Sequence, residues 1–323
     1  MSAAAGATAP RRRYDEAVRA AAARLEPVSG SPRLDAELLL AAAAGVPRSA
    51  VIAFPERELD AAALKALDAL VARRAEGEPL AYLLGSREFF ALTLDVGPAV
   101  LVPRPETEHL VEEALARLPP PAAGSRGATR VAQAATRAVA RDAARGAADG
   151  ASLENRRGPA VLDLGTGSGA LALAVKQQRP DAAVTGADSS LAALAVARAN
   201  AAKLGLDVLW VESSWFDALG GRRYDAILCN PPYVRSGDPH FDGPLRFEPR
   251  AALDGGPDGL DAIREILAAA PRHLEPRGLL LLEHGYDQQA AVAALASEMG
   301  FERLAAGRDL AGRERYVVLR KPG

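Results

Sequence analysis

Residues 159–188, PAVLDLGTGSGALALAVKQQRPDAAVTGAD, decide the fold. A short apolar run, 160–164, meets three glycines within five positions (Gly165, Gly167, Gly169), then a stretch with apolar residues at helical spacing, then a second apolar run that ends in Asp188. Strand, tight turn, helix and strand make a βαβ unit, whose two strands lie parallel. The pattern continues downstream. VLWVES (208–213), YDAILCN (224–230) and GLLLLEH (278–284) read as strands, and RYVVLRK (315–321) closes the chain. Between them SLAALAVARANAAKLG (190–205), GLDAIREILAAAPRHL (259–274) and QQAAVAALASEMG (288–300) read as helices. Strands alternating with helices of this length predict an α/β fold with a mainly parallel sheet, which binds ligands at the carboxyl ends of its strands.

Upstream, residues 11–85 read as helical. Tyr14, Val18 and Leu25 recur at helical spacing, and Ser31-Pro32 opens a second helix as a capping hydroxyl and a first-turn proline, with Gly45 ending it. A third helix follows Asp60 as far as Gly77. Residues 1–85 are therefore expected to form a small helical domain. The pattern changes at Ser86, where REFFALTLDVGPAVLVPRPETE (87–108) alternates apolar and polar residues around Gly97-Pro98, a strand-turn-strand signature that makes 86–105 a β-hairpin linker. From Glu106 a helix runs to Leu118, opening a domain expected to span 106–323. That domain carries a low-complexity insertion at about 119–158, with no Leu between Leu118 and Leu153. Such a segment cannot bury enough apolar surface to offset the entropy of ordering, so it reads as a linker, with an arginine-bearing contact arm as the alternative.

Composition narrows the function classes. Lys plus Arg number 39 against 41 Asp plus Glu, a net charge of −2 over 323 residues, which argues against a surface built to coat nucleic acid. No stable nucleic-acid binding is expected. One cysteine, Cys229, and four scattered histidines provide neither a disulfide framework nor metal-ligand spacing, so no metal is expected. No apolar run reaches membrane-spanning length, and the first arginines follow the apolar residues instead of preceding them, so no membrane association and a cytoplasmic location are expected.

Four motifs carry chemistry. Gly165, Thr166, Gly167, Ser168 and Gly169 let the backbone turn sharply beside a ligand, and the absence of Lys or Arg suits a ligand that carries positive charge or lacks phosphate; S-adenosylmethionine, a sulfonium, has that character. Asp188 is placed to accept the ribose hydroxyls of an adenosine, in a dinucleotide as well as in a methyl donor, or to cap the next helix. Trp215, just beyond the third strand, could stack on an adenine or serve as core. Asn230, Pro231, Pro232 and Tyr233 follow the strand YDAILC. Two prolines make a rigid loop, and an Asn oxygen beside a fixed Pro carbonyl supplies two acceptors for one NH2 group, which Tyr233 can cover.

With these motifs in place the chain resembles the PrmC/HemK family of protein-(glutamine-N5) methyltransferases. The resemblance runs through LDAELLLA (34–41), REFFALTLDVGPAVLVPRPETE (87–108), LDLGTGSGALALAV (162–175), NPPYV (230–234), FEPRAALDGGPDGL (247–260) and LLLEHGYDQQ (280–289). It implies a class I, Rossmann-like methyltransferase fold with a seven-stranded sheet, and S-adenosylmethionine as cofactor. It implies class I peptide chain release factors as protein partners, methylated at the Gln of Gly-Gly-Gln, and an N-terminal helical domain that docks them. Residue by residue it assigns Gly165 to Gly169 to the cofactor loop, Asp188 to the ribose, Trp215 to the adenine side, Asn230 to the junction of cofactor and substrate, and Pro231, Pro232 and Tyr233 to the glutamine. The chain departs from the family at Ser214, where an Asp is common; a contact of that carboxylate with the adenine amino group is then either weakened here or made by Glu212 or Asp217. The rival substrate is an exocyclic amine of a nucleic-acid base. A nicotinamide-dependent oxidoreductase would have no use for Asn-Pro-Pro-Tyr, and a non-catalytic binding module would not need the glycine loop and the amine clamp together.

Overall fold

The computed structural model describes residues 12–120 and 158–321. The body of the insertion expected at about 119–158, and with it the choice between linker and contact arm, lies outside the described residues. The chain divides into two compact units, one drawn from Met1–Arg87, Asp95–Val102 and Gly237–Arg250, the other from Glu88–Leu94, Pro103–Ser236 and Ala251–Gly323. The first unit is discontinuous in a way that a reading in chain order does not anticipate.

In the first unit a two-residue pair, β1 (Arg12–Arg13) and β2 (Glu58–Leu59), accompanies helices α1 (Tyr14–Leu25), α2 (Pro32–Ala44), α3 (Arg48–Ala53), α4 (Ala61–Ala75) and α5 (Leu80–Leu84). Leu25, Leu39, Leu40, Leu59, Leu67 and Val71 form their shared core. The Asp60 carboxylate accepts from the Ala63 amide at 2.8 Å and starts α4. Ser31 does not cap α2 as the sequence suggests: its backbone is not extended (φ −143°, ψ 62°) and its hydroxyl makes no cap bond. Pro32 at the first helical position removes one of the first-turn amides that lack a partner within the helix. Two buried carboxylates tie the helices together, Glu37 accepting from Arg33 and Arg48, and Asp35 from Arg74.

The hairpin exists, but its turn is not at Gly97-Pro98. Strands β3 (Ser86–Phe89) and β4 (Leu92–Asp95) are joined at Phe90 and Ala91, both at positive φ (47° and 61°). Such a turn matches the twist of a hairpin but ordinarily takes Gly or Asn, which is why the sequence did not reveal it. The Phe90 amide donates to Glu108 at 2.9 Å, so the first residue of α6 (Glu108–Arg117) holds the turn.

The second unit is built on a seven-stranded sheet in the order β10-β11-β9-β8-β5-β6-β7. Its strands are β5 (Ala160–Leu164), β6 (Ala183–Asp188), β7 (Leu209–Glu212), β8 (Tyr224–Cys229), β9 (Leu274–Glu283), β10 (Glu302–Arg308) and β11 (Glu314–Arg320). Strands β5 to β9 run parallel, while β11 is antiparallel to both β9 and β10. Helices α7 (Ala170–Gln178), α8 (Leu191–Leu204), α9 (Asp261–His273) and α10 (Gln289–Glu298) complete the crossovers. Neighbouring residues of one strand enter opposite cores: Val161, Leu281 and Val318 one, Leu162, Leu280 and Val317 the other. With both faces covered, the strands read as unbroken apolar runs. Strand β10 was not legible because ERLAAGR is largely exposed and lacks such a run. Among the described residues no helix is long and apolar enough to cross a membrane.

One close contact sets the packing of β6 on β7. A Cβ at Gly186 would lie 2.3 Å from the Trp210 ring, so only glycine leaves room for that indole beside the strand. Gly186→Ala should therefore destabilise the protein by roughly 1–3 kcal/mol through overpacking. Combining it with Trp210→Leu should recover much of that loss, as read from urea midpoints by circular dichroism. A wild-type midpoint for the single variant would show that the indole has room to move.

Candidate functional site

The strand order reverses direction between β5 and β8. From β5 the chain builds outward through β6 and β7, then returns to place β8 on the other side of β5 and β9 beyond it. Leu164 pairs with Ala187 on one side and with Cys229 on the other, and Cys229 pairs with Leu282. The carboxyl ends of adjacent strands thus deliver the glycine loop, Asp188, Asn230 and Glu283 to one edge of the sheet, where such folds open a ligand crevice.

The glycine loop is held from within. Gly165, Gly167 and Gly169 all sit at positive φ (75°, 55° and 85°), a conformation costly to any residue with a Cβ. The amides of Gly165 and Thr166 both donate to the Ala187 carbonyl at 2.9 Å. Asp163 is buried, and its carboxylate accepts from the Thr166 hydroxyl at 2.5 Å and the Ala172 amide at 3.0 Å. Burial pushes the Asp163 pKa up to about 7 despite those donors. Thr166 and Ser168 are themselves buried, and the Ser168 carbonyl accepts from Asn200, so these two loop residues shape the turn. Asp188 accepts from the Gly167 amide and the Ser190 amide, each at 2.9 Å, while Ser190 caps α8. The acid is thereby fixed against the loop and does not serve as the helix cap.

Trp215, at φ 44°, is pinned by Ser213, whose hydroxyl donates to the Trp215 carbonyl at 2.9 Å and accepts from the Ala218 amide at 3.0 Å. Its ring approaches to 3.8 Å of where a Gly165 Cβ would stand. Trp215 therefore belongs to the loop's surroundings, whereas Trp210 fills the space left by Gly186 and Gly169. Glu212, Ser214 and Asp217 are exposed beside it.

Asn230 is the end of a directed series of hydrogen bonds. Its amide NH2 donates to Thr107 Oγ1 at 3.2 Å, the Thr107 hydroxyl donates to Glu283 Oε2 at 2.6 Å, and the Tyr233 hydroxyl donates to Glu283 Oε1 at 3.0 Å. Asn230 Oδ1 takes no hydrogen bond from a described residue. Burial raises the Glu283 pKa, and burial together with the Glu283 charge holds the Tyr233 phenol well above its ordinary value. The backbone of the Pro-Pro-Tyr loop is buttressed by the segment 253–260. Val234 donates to the Leu253 carbonyl at 2.9 Å and Gly255 donates back to Val234 at 2.8 Å. A Cβ at Gly255 would lie 2.7 Å from the Pro232 carbonyl, and one at Gly259 would lie 2.4 Å from that of Tyr233. Gln288 Nε2 donates to the Tyr233 carbonyl at 3.0 Å. Thr107, Glu283, Gln288 and these glycines had no role in the sequence reading. Their only signal was membership in PRPETE, LLLEHGYDQQ and FEPRAALDGGPDGL.

The strand ends thus bring together a glycine loop, a carboxylate fixed against it and an amide whose NH2 is already taken. Comparisons with known proteins place the chain in a family. The PrmC N-terminal domain profile matches residues 16–85, and that of the methyltransferase small domain matches 151–243. The release factor glutamine methyltransferase of Burkholderia pseudomallei is 45% identical over 94% of this chain and 97% of its own length. That of Pseudomonas aeruginosa is 47% identical over 90% and 94%, and that of Coxiella burnetii 40% over 95% and 98%.

The elevated pKa of Asp163 has a sign that can be checked. Its folded value of about 7 lies above the ordinary 3.8, so the stability it contributes is present below 3.8 and is lost as pH rises through about 7. Asp163→Asn retains an acceptor for Thr166 and Ala172 but does not titrate. Its destabilisation relative to the wild type should be largest at and below about pH 4, shrink as pH rises from there to about 7, and stay level above that. Urea midpoints of both proteins across that range give the measurement, and a difference independent of pH would contradict the assignment.

Proposed function

The chain belongs to the release factor glutamine methyltransferase family, and from that premise we propose that it methylates the side-chain nitrogen of the Gly-Gly-Gln glutamine of class I release factors, with S-adenosylmethionine as donor. The observation that carries this reading is the orientation of Asn230, whose NH2 is taken by Thr107 so that its oxygen faces outward. The residues at the strand ends fit the donor: a glycine cradle without basic side chains, Asp188 fixed beside it, and Trp215 against Gly165. Gly165 to Gly169, with Thr166 and Ser168 shaping the turn, would hold the cofactor chain; Asp188 would accept from the ribose and Trp215 would flank the adenine. When bound, S-adenosylmethionine supplies an electrophilic methyl group on a positively charged sulfur.

An amide nitrogen is a poor nucleophile because its lone pair is delocalised into the carbonyl. Asn230 Oδ1 and the Pro231 carbonyl accept the two hydrogens of the target NH2, turning the lone pair out of the amide plane and toward the donor. Pro232 keeps the loop rigid, and Tyr233 covers the planar group. Glu283 already accepts from Thr107 and Tyr233, and the phenol is held above its ordinary pKa, so neither is set up as a base. The proton leaves to water after transfer. Positioning of this kind supplies roughly 7–11 kcal/mol of a barrier.

Removing one preorganised acceptor should therefore be costly. Asn230→Ala is expected to lower single-turnover methylation by about 10²–10³-fold, with calorimetric cofactor affinity changed far less. Asn230→Asp keeps size and acceptors but adds negative charge beside the sulfonium, favouring the bound donor over a transition state that is losing that charge; it should also be slow. The assay compares intact release factor with ribosomal RNA, transfer RNA and DNA. Near-normal turnover by the Ala variant would refute the clamp, and transfer to a base amine would favour the nucleic-acid rival.

Docking is assigned to the helical unit. A groove of about 200 Å³ there is lined by Val18, Ala22, Val51, Ile52 and Pro55 together with the charged Asp15, Arg19, Arg33 and Glu37, and Ile52 is 52% exposed. Ile52→Asp should raise KM for intact release factor by about tenfold while leaving a short Gly-Gly-Gln peptide unaffected, since one buried aliphatic contact is worth roughly 1.5 kcal/mol or more. Equal effects on both substrates would rule this surface out.

A further inference from the structure

Taking Asn230 as the group that holds the target amide, we propose that Thr107 and Glu283 are positioning residues that fix which end of the Asn230 side chain faces the substrate, and so restrict the site to nucleophiles bearing an NH2 group.

A primary amide has nearly the same shape with its oxygen and nitrogen exchanged, so packing does not choose between the two orientations. The partner on the hidden side chooses. For Asn230 that partner is Thr107, whose hydroxyl can either donate or accept, and Thr107 by itself decides nothing. Its single hydrogen is committed elsewhere. Thr107 is buried, and its hydroxyl lies 2.6 Å from Glu283 Oε2, while the other carboxylate oxygen takes the Tyr233 hydroxyl at 3.0 Å. A carboxylate offers acceptors only, so both hydroxyls must donate to it. Thr107 Oγ1 then presents lone pairs to Asn230, the Asn230 NH2 turns inward, and Oδ1 turns outward. The reverse orientation would set oxygen against oxygen in a buried place, the costly case of an unmade hydrogen bond.

The polarity of the site thus originates at the end of β9 and reaches the end of β8 through a residue just before α6. Its consequence is selectivity. The two acceptors of the proposed clamp, Asn230 Oδ1 and the Pro231 carbonyl, are both satisfied only by a group with two hydrogens on one atom. A hydroxyl or thiol satisfies one, and a carboxylate satisfies none and is repelled. Tyr233, tethered to the same Glu283 by its hydroxyl, has its ring orientation fixed by the same charge.

The test uses the full-length protein and five variants: Thr107→Val, Thr107→Ser, Glu283→Gln, Asn230→Ala and the double variant Thr107→Val/Asn230→Ala. Steady-state methylation of a Gly-Gly-Gln peptide gives kcat and KM, and calorimetry gives cofactor affinity. Nitrogen-15 spectra of the ligand-free protein report the Asn230 side-chain NH2, assigned by its loss in Asn230→Ala. Thr107→Val should lower kcat by about tenfold or more, the worth of one directed hydrogen bond, with KM and cofactor affinity within about twofold. Thr107→Ser should restore near wild-type turnover, and Thr107→Val should add nothing to the loss in Asn230→Ala. In the spectra, Thr107→Val and Glu283→Gln should both shift the Asn230 NH2 resonances and speed their exchange with water.

Equal losses from Thr107→Val in the wild-type and Asn230→Ala backgrounds, a Ser variant as poor as Val, or unchanged resonances would each overturn the proposal. If Glu283→Gln fails to fold, the Thr107 variants and the spectra still decide. A wild-type protein that methylates no glutamine peptide would refute the reading of the site as a glutamine clamp, while the spectra would still report whether Thr107 sets the Asn230 orientation.

Discussion

The parallel pairing of β5 with β8, Leu164 opposite Cys229, is the contact on which the site depends, because it makes neighbours of two loops 65 residues apart in the chain: Gly165 follows one strand and Asn230 the other. Parallel strands cannot be joined by a tight turn, so the chain must leave β5, complete β6 and β7 on one side, and cross back. That crossing opens the crevice. Every residue proposed to meet the cofactor or the target amide stands on the carboxyl side of one of these strands, and the sheet buries both faces to hold them there.

Buried carboxylates organise both loops. Asp163 gathers the Thr166 hydroxyl and the Ala172 amide in the first turn of the following helix, and Glu283 gathers two hydroxyls from separate segments. Each acid is placed behind the residues proposed to meet the ligands. A buried carboxylate costs desolvation, seen in the upward pKa shifts of both, and the donors around it offset that cost by fixing the geometry of loops that would otherwise be free to vary. Glycines do complementary work where backbone meets backbone, as at Gly255 and Gly259 against the Pro-Pro-Tyr carbonyls.

The βαβ pattern, the glycine loop, Asp188 and Asn-Pro-Pro-Tyr were readable from residues 159–233 because each rests on local chemistry: apolar runs for buried parallel strands, glycine for positive φ, proline for rigidity. The errors were local as well. Ser31 had the residue type of a cap without the backbone for it, and the hairpin turns at Phe90-Ala91, residues that carry no turn signature, because Glu108 from a later helix holds the amide.

Sequence by itself determined the fold class, the glycine loop and the rigid Asn-Pro-Pro-Tyr loop, since short-range spacing sets strand, turn and helix. What only the tertiary structure decided is the direction in which Asn230 points. Thr107, Asn230 and Glu283 are separated by 123 and 176 positions along the chain, counted from Thr107, and meet only because β8 and β9 pair in register beside α6. Hydrogen-bond polarity is a property of the assembled series of donors and acceptors, and no single residue in it carries that information.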